Sequence, residues 1–396
     1  MHRVYMDANA TTPLLPEVFE AMRPFWIESF GNASSIHLQG QRARAAVENA
    51  REHVASLLAC RPAELVFTSG GTESDNLALF GILKPTVAGN KPDHLITTAI
   101  EHHAVLHAAK ELEHRGVELT ILDPNADGII SPATLAAAIR PNTKLVSIMF
   151  ANNETGAIQP IAELAAIAHQ HKALFHTDAV QAAGKLPIDV RALGVDLLSI
   201  SGHKMYAPQG TGALYVRRGT RLAPLFFGGS HERQRRAGTE NVAGLTGFGK
   251  AAQIAQQWIA NNGAEKLAAL RDQLETQILA AVPNSGINGV NAPRVCNTTN
   301  LYFDHVEAEA LVIALDLKGL AVSGGSACQS GSSDPSHVLQ AIGLSPERAR
   351  SSIRLSLTKQ TTPEDIAFAT AIVPTAVARL RGLSPAWQKL HAAAAL

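Results

Sequence analysis

Apolar and polar residues alternate along the first half of this chain in blocks of two kinds. Short runs rich in leucine, isoleucine, valine and threonine predict strands at 64–68, 94–98, 118–122, 144–150 and 173–177, an apolar run ending at Ile200, and a returning strand at 213–216. Longer stretches at 16–25, 39–58, 103–115, 132–139 and 161–169 carry helical spacing; in the second, Ala43, Ala46, Val47, Ala50, Val54 and Leu57 share one face. Residues 3–12 read as a short extended segment running into a polar turn around 7–13. Strands that alternate with helices predict a doubly wound, mainly parallel sheet, with ligands bound beyond the carboxyl ends of its strands.

The pattern changes after the middle of the chain. A long helix over 245–260 is followed by an amphipathic one over 264–282, with Leu267, Leu270, Leu274 and Ile278 on one stripe. Shorter strands at 299–303, 320–323 and 353–357 then predict a second, smaller α+β domain. With 396 residues, two domains are expected: a large one over 14–255 and a small one formed by 1–13 and 256–396.

Charge narrows the range of partners. Thirty-four Lys and Arg balance thirty-four Asp and Glu, so nucleic-acid binding would need a local patch. The one candidate, 231–236, is short, contains a glutamate and has no aromatic neighbour within it. The N-terminus has no apolar core of the signal-peptide kind, and no uninterrupted apolar run approaches a membrane span, so a cytoplasmic protein without a membrane partner is expected.

The chemistry gathers at the predicted strand ends. After residue 68, Ser69-Gly70-Gly71-Thr72 lets the backbone turn into a helix start, an anion site to which Thr72 adds a hydroxyl. Taken alone this is also an ordinary cap. Lys204 ends the run through Ile200, where an ammonium faces a desolvation cost unless it has a chemical use such as a Schiff base. A pyridoxal phosphate site needs such a lysine, a carboxylate for the pyridine nitrogen, a stacking group and phosphate donors. Asp178 supplies the carboxylate, with Gln181 three residues on; His102 can stack, and Thr72, Ser201 and His203 can bind phosphate. Asp178 taken singly reads as a helix cap, and the set taken jointly favours the cofactor. His103 and His107 share helical spacing, but no H-E-x-x-H pattern or third ligand lies nearby, so no metal is expected.

The three cysteines are too few and too scattered for a disulfide framework. Cys328 lies in a stretch where nine of the fifteen residues over 323–337 are Ser or Gly, a composition that favours the exposure a nucleophilic thiolate needs. Cys60 reads as packing, and Cys296 is open.

In chain order, SGGTES, EHHAVL, ANNETG, HTDAVQ, SGHKMYAPQGTGALYV, RRAGTEN, SGGSACQSGS and RSSIRLSL resemble the cysteine desulfurases of the NifS/IscS type. These are class V aminotransferase-group enzymes of fold type I that depend on pyridoxal 5′-phosphate, and the resemblance runs from Tyr5 to about Gly382. It implies a homodimer that converts L-cysteine to L-alanine and leaves sulfur on Cys328 as a persulfide for an acceptor protein in iron–sulfur cluster or thio-cofactor assembly. Lys204 would form the Schiff base and move protons, with His102 as an acid/base. Asp178, Gln181 and His102 would hold the ring. Gly71, Thr72, Ser201 and His203 would bind phosphate, with Thr239 from the partner subunit. Asn153, beside the cofactor, and Arg354 would hold the substrate carboxylate. No resident metal is implied, only transient ligation of a cluster by Cys328. A selenocysteine lyase or related aminotransferase would keep Lys204 and Asp178 without needing Cys328, and a silent scaffold would keep the fold without turnover.

Overall fold

The computed structural model describes residues 3–85, 91–324, 334–384 and 387–388. In chain order its strands are β1 (Val4–Tyr5), β2 (Leu65–Thr68), β3 (His94–Thr98), β4 (Glu118–Leu122), β5 (Thr143–Ser147), β6 (Leu174–Asp178) and β7 (Leu197–Ser201). There follow β8 (Gly212–Val216), β9 (Ser285–Ile287), β10 (Thr298–Phe303), β11 (Leu320–Ala321), β12 (Ser323–Gly324) and β13 (Ser352–Ser356). Seven form the main sheet in the order β2-β8-β7-β6-β5-β3-β4. Only β8 runs against its neighbours, β2 and β7. The β3, β5, β6 and β7 pairings are parallel, as the alternation of strands and helices requires.

Successive residues of these strands face opposite layers. Leu65, Phe67, Ile96, Val146, Phe175, Leu198 and Ile200 join one core. Val66, Leu95, Leu145, Leu197, Leu214 and Val216 join the other, against helix Gly71–Ile82. With both faces covered, the strands can be apolar throughout, and the polar residues that occur in them stand out. His176, buried in β6, is held between Ser147 Oγ at 2.8 Å and Ser199 Oγ at 3.0 Å, so a polar ladder crosses three strands beneath the site.

A second sheet, β12-β13-β10-β9, is antiparallel throughout and packs on its own core. That core joins Val4 and Met6 to Leu267, Leu274, Leu301, Phe303, Leu320, Leu355 and Ile366. Helix Pro363–Leu383 is long and apolar enough in composition to cross a membrane. Here it lays Ile366, Ala369, Val373 and Val377 into this second core.

Three expectations need correction. The helix over 16–25 is two, Pro16–Met22 and Pro24–Ile27, because Pro24 offers no N–H to continue the first. The strand over 144–150 ends at Ser147, where the chain leaves the ladder towards the site. The strand over 320–323 divides at Val322: Leu320–Ala321 pairs parallel with β1, whereas Ser323–Gly324 pairs antiparallel with β13.

Candidate active site

Beyond the carboxyl ends of β2, β7, β6, β5 and β3 lies a cavity of about 340 Å³. Gly71 and Thr72 enter it from the first turn of helix Gly71–Ile82, and Asp178 and Gln181 from the end of β6. Ser201, His203 and Lys204 come from the end of β7, His102 from beyond β3 and Asn153 from beyond β5. Arg354, from β13, reaches it from the second sheet. Ten of the residues singled out in the sequence thus share one wall.

The glycine turn is made by close backbone approach. Gly70 has φ 155°, and a Cβ on Gly212, paired with Thr68 and Ser201 in the sheet, would fall 2.6 Å from Gly70 Cα. A Cβ on Gly71 would lie 2.7 Å from Val180 Cγ2. The helix N-terminus therefore opens directly onto the cavity.

Burial governs the ionisation of the side chains. Asp178 accepts from the Val180 N–H at 2.8 Å; burial raises its pKa to about 6, while that N–H and the charge on Lys204 oppose the rise. Asp75, also in the wall, is pushed well up by burial and by the neighbouring Asp178 and Glu101. Burial raises Glu101 to about 8, although Thr98 Oγ1 and the Met149 N–H donate to it. His102 Nδ1 accepts from the Ala104 N–H at 3.1 Å, so in the neutral ring the hydrogen sits on Nε2. Burial, then the nearby Lys204 charge, lowers His102 to about 4. The same two causes take His203 to about 4.

Lys204 donates to the carbonyls of Asn9 and Ala10, tying the lysine loop to the N-terminal segment. Arg354, 1% exposed, donates from Nη1 to the Asn153 carbonyl at 3.0 Å and from Nη2 to Asp7 Oδ1 at 2.7 Å. Asn9 and Asp75 also line the cavity, and Asp7, Glu101 and Lys185 bond to its wall residues Arg354, Met149 and Gln181; pattern reading gave none of the five a role. Only the polar run 7–13 hinted at Asp7 and Asn9.

Among the described residues of the cavity wall, Ser201 Oγ, Asn153 Oδ1, Arg354 Nε and Asp75 Oδ1 are buried polar atoms without a hydrogen-bond partner. Buried polar groups in folded proteins are mostly hydrogen-bonded, and these gather around one cavity, so they point to a ligand that completes them. Ser201 Oγ lies 3.9 Å from where a Gly70 Cβ would stand, beside the anion-binding turn. The donor set, with a lysine and a buried carboxylate at the ends of the neighbouring strands β7 and β6, fits pyridoxal phosphate.

The remaining candidates lie elsewhere. Thr239 is exposed and is not in this chain's cavity wall. Cys328 lies outside the described residues. In the 231–236 cluster Glu232 pairs with Arg51 at 2.7 Å with both side chains buried, and Arg236 pairs with Glu73 at 2.9 Å. The His103 ring lies 4.8 Å from that of His107 and 4.6 Å from that of His337, and among the described residues no group of three or more potential ligands is placed to hold a metal. Cys60 is half-buried against the first core, and Cys296 is buried in the second.

A doubly wound sheet with this set of groups at its carboxyl edge defines a pyridoxal-phosphate-dependent enzyme of fold type I. The aminotransferase class-V family model matches residues 4–368. The cysteine desulfurase IscS of Dictyoglomus turgidum is 47% identical over 382 residues, 96% of each chain. A solved structure described as a NifS-like protein superposes with a TM-score of 0.87 at 34% identity, covering 95% of this chain and 99% of that one. Another, SspA in complex with cysteine, gives 0.79 at 38% identity over 90% of this chain and 99% of its own. The chain belongs to the aminotransferase class-V family and, within it, to the cysteine desulfurases of the NifS/IscS type. Its cofactor is pyridoxal 5′-phosphate.

Proposed function

We propose that this protein takes sulfur from L-cysteine, releases L-alanine, and passes the sulfur through a persulfide on Cys328 to an acceptor protein in iron–sulfur cluster or thio-cofactor assembly. The observation that carries the reading is the meeting of Arg354 and Asn153, each with an unpartnered buried polar atom, with Lys204 and Asp178 in one cavity. It joins a carboxylate-binding end to a cofactor-binding end at the scale of one small amino acid.

Gly71, Thr72, Ser201 and His203 would hold the phosphate, Asp178 the pyridine nitrogen, Gln181 the ring oxygen and His102 the ring face. When bound, pyridoxal phosphate supplies an electron sink that stabilises negative charge at the substrate Cα and loosens the Cβ–sulfur bond. Arg354 grips the substrate carboxylate and fixes its orientation, and Asn153 supports it. Lys204 Nζ takes the Cα proton and returns protons on the way to alanine. His102 presents Nε2–H near the departing sulfur. The Cys328 thiolate attacks the substrate sulfur: the S–S bond forms as the C–S bond breaks, and the electron pair left on the carbon side is protonated. Asp178, whose pKa burial raises to about 6, would be held ionised by the positive charge of the pyridinium it faces.

The protein acts as a homodimer in which Thr239 serves the partner's phosphate site. The exposure of Thr239 and of apolar residues such as Phe227, 88% exposed, supports this. The test is an assay of sulfide and alanine from L-cysteine in the presence of a thiol reductant. Equal yields of both products are expected, and cofactor-loaded protein that forms neither would overturn the reading.

A further inference from the structure

Lys185 is buried four residues beyond Gln181, outside the cavity wall. Its Nζ donates to Gln181 Oε1 at 2.7 Å and to Asn9 Oδ1 at 3.2 Å. Among the described residues no carboxylate lies within ion-pair distance of it. A buried cation without a counter-ion is costly. Burial, joined by the charges of Lys204, Arg354 and Lys359, pushes its pKa down to about 7, with Cys296 acting the other way. A methionine would fill the same space without that cost, so the ammonium needs a use.

Its hydrogen-bonding chemistry suggests one. Charged or neutral, the amine has hydrogens to give, and both atoms that it touches, Gln181 Oε1 and Asn9 Oδ1, accept from it. Lys185 on one side and the Asn9 carbonyl, which can only accept, on the other together settle the Gln181 amide: oxygen towards Lys185, nitrogen towards Asn9. One hydrogen of Gln181 Nε2 goes to the Asn9 carbonyl at 3.0 Å. The second remains for a ligand in the cavity that Gln181 lines. Asn9 is held in turn: its Nδ2 donates to the Asn153 carbonyl at 3.1 Å and to Thr298 Oγ1 at 2.8 Å, and its Oδ1 also accepts from Asn297 Nδ2.

We propose that Lys185 is a positioning residue for the cofactor: it clamps the Gln181 oxygen, so that the amide offers the oxygen of the pyridoxal ring a hydrogen and never a lone pair. The inference rests on the reading above that Gln181 holds this ring oxygen. A fixed donor favours the ionised ring oxygen, and a flipped amide would repel it.

The test uses the holoenzyme and two readouts besides turnover: the pH midpoint of the cofactor's visible absorption band, and the cofactor dissociation constant. Lys185→Met should move the midpoint up by about one unit and weaken cofactor binding about tenfold, the size of one charge-assisted hydrogen bond. Gln181→Ala should do the same, and the double variant should add nothing further, because Lys185 acts only through Gln181. A Lys185→Met midpoint equal to that of the parent, beside a shifted Gln181→Ala, would overturn the proposal and leave the role of Gln181 standing. No shift in either variant would overturn both. Should Lys185→Met fail to fold, Lys185→Leu, which likewise has no hydrogen to donate, replaces it. A shift in the same direction is then expected, and a profile superimposed on the parent's overturns the clamp.

Discussion

Arg354, in the cavity wall, and Asp7, 347 residues away in sequence, meet in a 2.7 Å ion pair. Asp7 holds one end of the guanidinium while Nε is left without a partner. The buried cation is thereby partly neutralised and kept in one orientation for a carboxylate. Arg354→Lys should raise KM for L-cysteine by about 10- to 100-fold, since an ammonium cannot keep the planar two-point grip. Asp7→Asn should raise it by a smaller factor, about three- to tenfold. Steady-state kinetics with L-cysteine would measure both effects, and an unchanged KM in Arg354→Lys would remove this arginine from the substrate site.

Lys204→Ala should retain folded protein and lose multiple turnover, because among the described residues no other lysine lines the cavity. The expected loss in kcat is at least about 10³-fold, with the visible cofactor band displaced. Sustained turnover over many equivalents of cysteine would contradict the Schiff-base role.

Cys328→Ser should bind cofactor with an unchanged spectrum yet release sulfide at under about 1% of the parent rate, since a hydroxyl is a far weaker nucleophile towards sulfur. Mass spectrometry of the parent after cysteine treatment should find one added sulfur on the peptide containing Cys328. Full sulfide release in the variant would sink the persulfide route.

His102 is held near a pKa of about 4 by burial and by the Lys204 charge, so it stays neutral across the physiological range. Replacing it as His102→Gln should lower kcat by about 10²- to 10⁴-fold, the range for a positioned proton-transfer group. The kcat profile of the parent should accordingly show no step near pH 6.5, the ordinary histidine value. A step there that vanished in His102→Gln would contradict this assignment.

Glu101 gives a stability test with a definite sign. Its folded pKa, about 8, lies above the unfolded value, so between pH 4.5 and 8 the native state binds more protons than the unfolded chain. The parent therefore loses stability through Glu101 as pH rises across that window, by up to about 1.4 kcal/mol per unit. Glu101→Gln keeps the Oε1 acceptor for Thr98 and Met149 and has no proton to lose. Urea unfolding of cofactor-free protein should find the variant gaining on the parent steadily from pH 5 to 8. A constant difference across that range would refute the raised pKa.

How legible the site was depends on how local its signals are. Lys204, Asp178 and His102 stand at breaks in short apolar runs, and a polar residue where a buried strand ends is visible without knowing what lies opposite. The glycine turn before Thr72 was legible for the same reason. Asn9 was not: its partners Asn153, Gln181, Lys185, Lys204 and Thr298 lie 144 to 289 residues away, and none leaves a mark on the residues next to it. Lys185 follows Ala182, Ala183 and Gly184, and nothing in that run marks it as buried; only the fold encloses it.

By itself the sequence determined the order of strands and helices, because the alternation of apolar positions is set by backbone period and needs no partner. It also placed the chemically capable residues at strand ends. Tertiary structure decided how those ends converge, through a sheet order that no local pattern encodes. It decided, too, that the strand over 320–323 serves two sheets and that the N-terminal segment returns beneath Lys204. Above all it decided ionisation. Whether Asp178, Glu101 or Lys185 keeps its proton depends on exclusion of water by residues distant in the chain, a property of the packed interior and not of any stretch of it.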